Sequence, residues 1–238
     1  MMMTASIHSF QSLGTVDGPG VRAVVFMQGC PLRCVCCHNP DTWDVHSGEE
    51  VSLDALLARI DRCRKYFGKN GGVTVSGGEP LLQAEFVTAL FRALKNRGIH
   101  TALDTAGCVL GEKIEALLDV TDLVLLDYKY TNAEDYLRYT GMEMSAADRF
   151  LDRLQVRGIP TWLRHVYIPT LNDNDASIAR LCAVAESHPC VEKIELLPFR
   201  RICLEKYEQM GIPFPLKDTP EPTSAEIAAL KQKFPQLQ

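Results

Sequence analysis

The chain has 238 residues, with 25 lysines and arginines against 30 aspartates and glutamates, a formal charge of −5. That balance excludes a basic surface for gripping a phosphate backbone, and hydrophobic residues at 46% with charged residues at 23% exclude a disordered chain. No apolar run reaches the roughly 18 to 20 residues of a membrane span, and the opening segment lacks a basic-then-apolar leader pattern, so a cytoplasmic location is expected, with neither membrane nor nucleic acid as partner.

In chain order, short β-branched runs alternate with amphipathic stretches. A strand is predicted over residues 22–29 and a helix over 52–67, opened by Ser52. The next strand covers 72–77, and a helix over 83–97 stops at Gly98. Strand 100–105 precedes helix 112–119, and strand 122–129 precedes helix 146–157, which stops at Gly158. Strand 161–168 leads to a helix over 175–187 capped by Asp175, strand 192–199 follows, and a last helix over 224–233 is capped by Ser224. Residues 11–20, 31–48 and 211–222 read as irregular. Six βα units predict an α/β fold with a parallel sheet, doubly wound or curled into an incomplete barrel. One domain is expected over 1–238, with a core at 21–200 and a C-terminal extension at 201–238. Such folds bind ligands at the carboxyl ends of strands.

There are nine cysteines, and four of them, Cys30, Cys34, Cys36 and Cys37, crowd into eight residues after the first predicted strand. An odd count in a long chain points to a reducing compartment and metal binding, not a disulfide framework. Cys30, Cys34 and Cys37 form C-x3-C-x2-C, from which three thiolates can meet on one centre, while Cys36, adjacent to Cys37, points elsewhere. Two occupants suit this spacing: a zinc ion completed by His38, or a [4Fe–4S] cluster with one iron left open. Later strands end in Ser76-Gly77-Gly78-Glu79-Pro80, Asp104-Thr105-Ala106-Gly107 and Asp127-Tyr128-Lys129. Singly these are turns, caps or ion pairs; in succession behind a cysteine loop they mark a site. His165 reads as a core histidine, and Cys63, Cys108, Cys182, Cys190 and Cys203 as structural.

The C-x3-C-x2-C loop, Gly77-Gly78-Glu79-Pro80, Gly14-Thr15-Val16-Asp17-Gly18-Pro19-Gly20 and Cys37-His38-Asn39 together resemble the radical S-adenosylmethionine enzymes, and among them the activases of glycyl radical enzymes. The resemblance runs from about Ile7 to Phe199 and lacks the cysteine-rich insert of longer activases. It implies a partial (β/α)6 TIM-type barrel holding a [4Fe–4S] cluster and S-adenosylmethionine. It also implies an iron–sulfur oxidoreductase: a 5′-deoxyadenosyl radical takes hydrogen from a backbone glycine of a glycyl radical enzyme, expected to be pyruvate formate-lyase of anaerobic glucose metabolism. A flavodoxin-type electron donor comes with it, and a monomer is the default expectation. By the same resemblance Cys30, Cys34 and Cys37 ligate iron. Gly78 and Glu79 meet the methionyl amine, and Cys36, Cys37, His38 and Asn39 lie along the cofactor, as do Asp127, Tyr128 and Lys129. Asp104, Thr105 and Asp127 form a monovalent-cation site, and Asp17 receives the partner's glycine loop. Two positions depart from the family pattern: Cys36 replaces an aromatic residue, and Arg200 replaces a histidine that contacts the cofactor, a contact that arginine is expected to keep by donating hydrogen bonds. Three other readings remain open: an activase of a different glycyl radical enzyme, a radical enzyme acting on a small molecule, and a zinc- or cluster-binding regulatory module without turnover.

Overall fold

The computed structural model describes residues 3–237. Its strands are β1 (Thr4–Gly14), β2 (Arg22–Met27), β3 (Glu49–Ser52), β4 (Gly72–Gly77), β5 (His100–Thr105), β6 (Leu123–Asp127), β7 (Thr161–Tyr167) and β8 (Val191–Pro198). They make an open sheet in the order β3-β1-β2-β4-β5-β6-β7-β8. The helices are α1 (Leu53–Asp61), α2 (Ala84–Lys95), α3 (Glu112–Leu118), α4 (Ala133–Thr140), α5 (Met144–Arg157), α6 (Asp175–Glu186), α7 (Leu204–Gln209) and α8 (Ser224–Lys233). Parallel pairing joins β2 to β4, β4 to β5 and β7 to β8, the α/β pattern predicted. The central strands are apolar throughout because both faces are covered: Val24, Val25, Val73, Val75, Leu103, Val124 and Leu125 are all 0% exposed.

Four elements, β1, β3, α4 and α7, were not foreseen. β1 runs antiparallel to β2 and to β3, so a segment predicted irregular from residue 11 is strand as far as Gly14. Its signal was weak because only Ala5 and Ile7 turn into the core, and the register slips after Ile7. The missed α4 and α7 are short and polar, burying only Tyr136 and Thr140 in one and Tyr207 in the other. The helix expected over 52–67 stops at Asp61 and tightens into a 3-10 turn at Arg64–Tyr66, a basic stretch that buries none of its residues. Ser52 does cap α1, but the caps of α6 and α8 are Asn174 and Thr223, one residue earlier than predicted. No helix among the described residues is long and apolar enough to cross a membrane.

The chain divides into two compact units, one comprising the residues up to 31 with 42–125, the other 32–41 with 126 onward. In the first, Arg22 is 0% exposed yet fully employed. Its Nε donates to Thr74 Oγ1 at 2.6 Å, Nη1 to the Pro19 carbonyl at 3.0 Å and Nη2 to the Val73 carbonyl at 2.8 Å. Thr74 Oγ1 in turn donates to the Asp17 carbonyl at 2.6 Å, so one buried guanidinium shapes the glycine-rich loop before β2. Burial lowers the Arg22 pKa to about 10, with Asp17 and Asp122 opposing. Thr74→Val leaves the buried Arg22 Nε without its Thr74 acceptor; a loss of about 2 kcal/mol is expected in urea unfolding, and an unchanged midpoint overturns that role.

In the second unit the buried His165 donates from Nδ1 to the Tyr128 carbonyl at 2.7 Å and accepts at Nε2 from Asn172 at 3.1 Å. These partners hold one neutral tautomer, and burial lowers the ring's pKa to about 4, with the Tyr128 bond opposing. The core reading of His165 therefore stands, and the ring does more than fill space, since it pins the backbone between Asp127 and Lys129.

Candidate functional site

In the first unit, the turn after β4 is strapped to the end of β2. Gly78 N donates to the Met27 carbonyl at 2.9 Å and Glu79 N to the Gly29 carbonyl at 2.8 Å. A Cβ on Gly78 would lie 2.2 Å from the Gly29 oxygen and 3.3 Å from Cys30 Cβ, so glycine is what lets this turn reach the cysteine. The close backbone approach predicted for Gly78 is thus made first of all to Gly29 and Cys30.

Glu79, expected to meet the methionyl amine, is 1% exposed and internally engaged. Its Oε1 accepts from Thr105 Oγ1 at 2.6 Å and from Leu81 N at 3.1 Å, and Oε2 from Ala106 N at 2.9 Å. Burial raises the carboxyl to about 7 against the pull of these three bonds, and nearby Asp104 adds to the rise. Glu79 therefore ties the turn after β4 to the end of β5. Asp104 accepts from Ser76 Oγ at 2.7 Å, and the Thr105 hydroxyl also accepts from Gly107 N at 3.0 Å. Cys108, read as structural, has its thiol pushed up by burial and then by Glu79 and Cys30, which places it beside the strapped turn. Its only signal in the sequence was its position one residue past the glycine that ends the third motif.

In the second unit, Arg33 N donates to the Thr140 carbonyl at 2.8 Å and Val35 N to the Tyr139 carbonyl at 2.9 Å, hanging the cysteine loop on the end of α4. Cys37 N closes a turn on the Cys34 carbonyl at 3.0 Å. The Cys34 and Cys36 residues keep some exposed surface, but their thiols lie deep, and burial pushes them up to about 12 and about 11, with Lys129 opposing in both.

Asp127 and Lys129 pair at 2.5 Å; attraction to Lys129 and Arg164 holds the carboxyl down in spite of burial, and Asp127, Cys34 and Cys36 hold the ammonium up. The Tyr128 side chain is engaged elsewhere: its hydroxyl donates to Asp148 at 2.6 Å and its ring meets Tyr136 edge-on, which leaves its backbone for the contact expected of this residue.

His38 Nε2 donates to the Arg200 carbonyl at 2.8 Å, and burial lowers its pKa, keeping it neutral. Arg200 Nη1 pairs with Glu221 at 3.1 Å, and its carbonyl accepts from His38. Lys206, which no motif marked, donates to Asn39 Oδ1 at 2.8 Å and to Asp41 Oδ1 at 3.1 Å, orienting the residue after His38.

Cys30 belongs to the first unit and Cys34, Cys36 and Cys37 to the second. Among the described residues no disulfide forms, and no three His, Cys, Asp or Glu side chains are gathered into a ready-made metal array. The donor chemistry nonetheless fits an iron–sulfur cluster: three soft thiol donors, with protons to release as metal is taken up. His38 Nε2 donates to the Arg200 carbonyl, which leaves Nδ1 as the ring nitrogen that could ligate a metal.

Comparison with known proteins agrees with this donor set. The model of the Radical SAM superfamily matches residues 24–182. The pyruvate formate-lyase-activating enzyme of Clostridium pasteurianum is 45% identical over 218 residues, 91% of each chain. The pyruvate formate-lyase 1-activating enzyme of Escherichia coli K12 is 42% identical over 234 residues, covering 97% of this chain and 95% of that one. Among solved structures, a radical SAM methyltransferase from Sphaerobacter thermophilus superposes with a TM-score of 0.61 at 16% identity, over 96% of this chain and 73% of its own, a likeness of fold. The chain belongs to the radical SAM superfamily and, within it, to the family of the pyruvate formate-lyase-activating enzymes.

Proposed function

We propose that this chain activates a glycyl radical enzyme, with pyruvate formate-lyase as its partner, by removing hydrogen from a backbone glycine. The observation that carries the reading is the glycine-rich turn strapped to Met27 and Gly29, beside the first of three cysteines in C-x3-C-x2-C spacing, in a member of this family. When bound, the cluster and S-adenosylmethionine supply a 5′-deoxyadenosyl radical. The chain's own residues supply placement. Cys30, Cys34 and Cys37 hold iron, and Gly78 offers its backbone beside Cys30. Glu79 keeps Thr105 and Ala106 in register with that turn.

Lys129 presents an ammonium whose charge Asp127 secures, suited to a carboxylate. His38 stays neutral on the Arg200 carbonyl, so it contacts the adenosyl part without adding charge, with Asn39 alongside. Asp104, Thr105 and Asp127 are the oxygen donors for a monovalent cation, and the Asp17 loop meets the partner's glycine segment. A flavodoxin-type donor, a monomeric state and a cytoplasmic, anaerobic setting complete the reading.

The test is electron paramagnetic resonance on anaerobically reconstituted, reduced protein, with and without S-adenosylmethionine, then with pyruvate formate-lyase added. A cluster signal that moves on adding the cofactor, followed by a glycyl-radical doublet on the partner, is expected. A moved signal without the doublet overturns the partner, and zinc in place of a cluster overturns the whole reading.

A further inference from the structure

Tyr130 follows the Asp127–Lys129 strand end and is 2% exposed. Its ring packs tilted on Tyr139 at 5.1 Å, the residue whose carbonyl holds Val35 inside the cysteine loop. Its hydroxyl is buried and makes no hydrogen bond among the described residues. Leaving a phenol in that condition costs about 1–3 kcal/mol, a penalty that phenylalanine of the same shape avoids. Burial first, and then the thiols of Cys36 and Cys34, hold this phenol protonated, with Lys129 opposing, so the hydroxyl lies within the electrostatic reach of the cysteine loop. A neutral thiol is a poor acceptor, whereas a metal-bound thiolate is a strong one.

We propose that the Tyr130 hydroxyl is kept as the hydrogen-bond donor to the Cys34 side of the bound cluster and that it sets the cluster's reduction potential. The inference rests on the cluster reading above and adds to it a residue that no motif marks. Hydrogen bonds to cluster sulfur stabilise the reduced, more negative state and raise the potential, so their removal lowers it.

The experiment compares the full-length reconstituted protein with Tyr130→Phe and Tyr139→Phe in redox titrations followed by electron paramagnetic resonance, with iron and sulfide counted per chain. At equal iron content Tyr130→Phe is expected to lower the reduced-to-oxidised ratio about tenfold at a fixed poise, about 59 mV for one electron, while Tyr139→Phe leaves it unchanged. An unchanged ratio in Tyr130→Phe overturns the proposal and leaves the cluster reading intact. If Tyr130→Phe takes up no iron, resonance Raman spectra of the wild-type protein in light and heavy water decide: shifted iron–sulfur stretches support the donor, and identical spectra overturn it. A wild-type protein without a cluster overturns both readings.

Discussion

In Cys34→Ala, iron and labile sulfide are expected to fall to background and S-adenosylmethionine cleavage to be lost, whereas Cys36→Ala is expected to keep its iron. The contrast follows from spacing and surroundings together. Both thiols lie deep in the second unit, both are pushed up by burial, and both feel Lys129, so acidity does not separate them. What separates them is the turn in which Cys37 N closes on the Cys34 carbonyl: it places those two residues at its ends and Cys36 inside it. Raised thiol pKa values add a second expectation, that cluster loading of the wild-type protein slows as pH falls, because each ligand must give up its proton before it binds iron. Iron and sulfide analysis of the two variants after identical reconstitution is the check, and iron lost from Cys36→Ala would reverse the ligand assignment.

The second large effect concerns pH. Glu79 is raised in the folded protein from 4.5 to about 7. Between those values the native state holds the proton and the unfolded chain does not, so this group's contribution to stability is lost as pH rises through that window. His165 is lowered from 6.5 to about 4, so the unfolded chain takes up the proton first and stability is lost as pH falls through nearly the same window. Each contribution is about 3 kcal/mol, and the two slopes oppose, which flattens the wild-type profile. Relative to wild type, Glu79→Gln should gain stability with rising pH by about 3 kcal/mol between pH 4.5 and 7.5, and His165→Gln should lose a similar amount. Urea unfolding at three pH values measures the differences, from which the fixed cost of each substitution drops out. Profiles parallel to wild type would show that neither group titrates as its surroundings dictate.

Much of the fold was legible in the sequence because a strand buried on both faces has to be apolar throughout: Val24-Val25, Val73 and Val75, and the run Leu123–Leu126 announce themselves. β1 was not, since antiparallel pairing through the backbone asks little of side chains such as His8, Ser9 and Gln11. Among site residues, the cysteine spacing was readable because ligation requires a residue type. The directions of Tyr128 and Arg200 were not, because both are set by residues remote in sequence, Asp148 and Glu221. Lys206 carried no signal for the same reason; it reaches Asn39 across 167 positions.

The sequence by itself determined the chemistry this protein can perform. Three thiols at metal-binding spacing, a glycine pair behind a strand and an acid–lysine strand end are choices of atoms, and atoms are written in the order of residues. The tertiary structure alone decided which of those atoms are still available. It buried Glu79 against Thr105 and Ala106, engaged the Tyr128 hydroxyl with Asp148 and the Arg200 guanidinium with Glu221, set His38 Nε2 on a carbonyl and left the Tyr130 hydroxyl buried without an acceptor. Burial and hydrogen-bond partnership depend on which segments are brought together in space, and local sequence does not encode that.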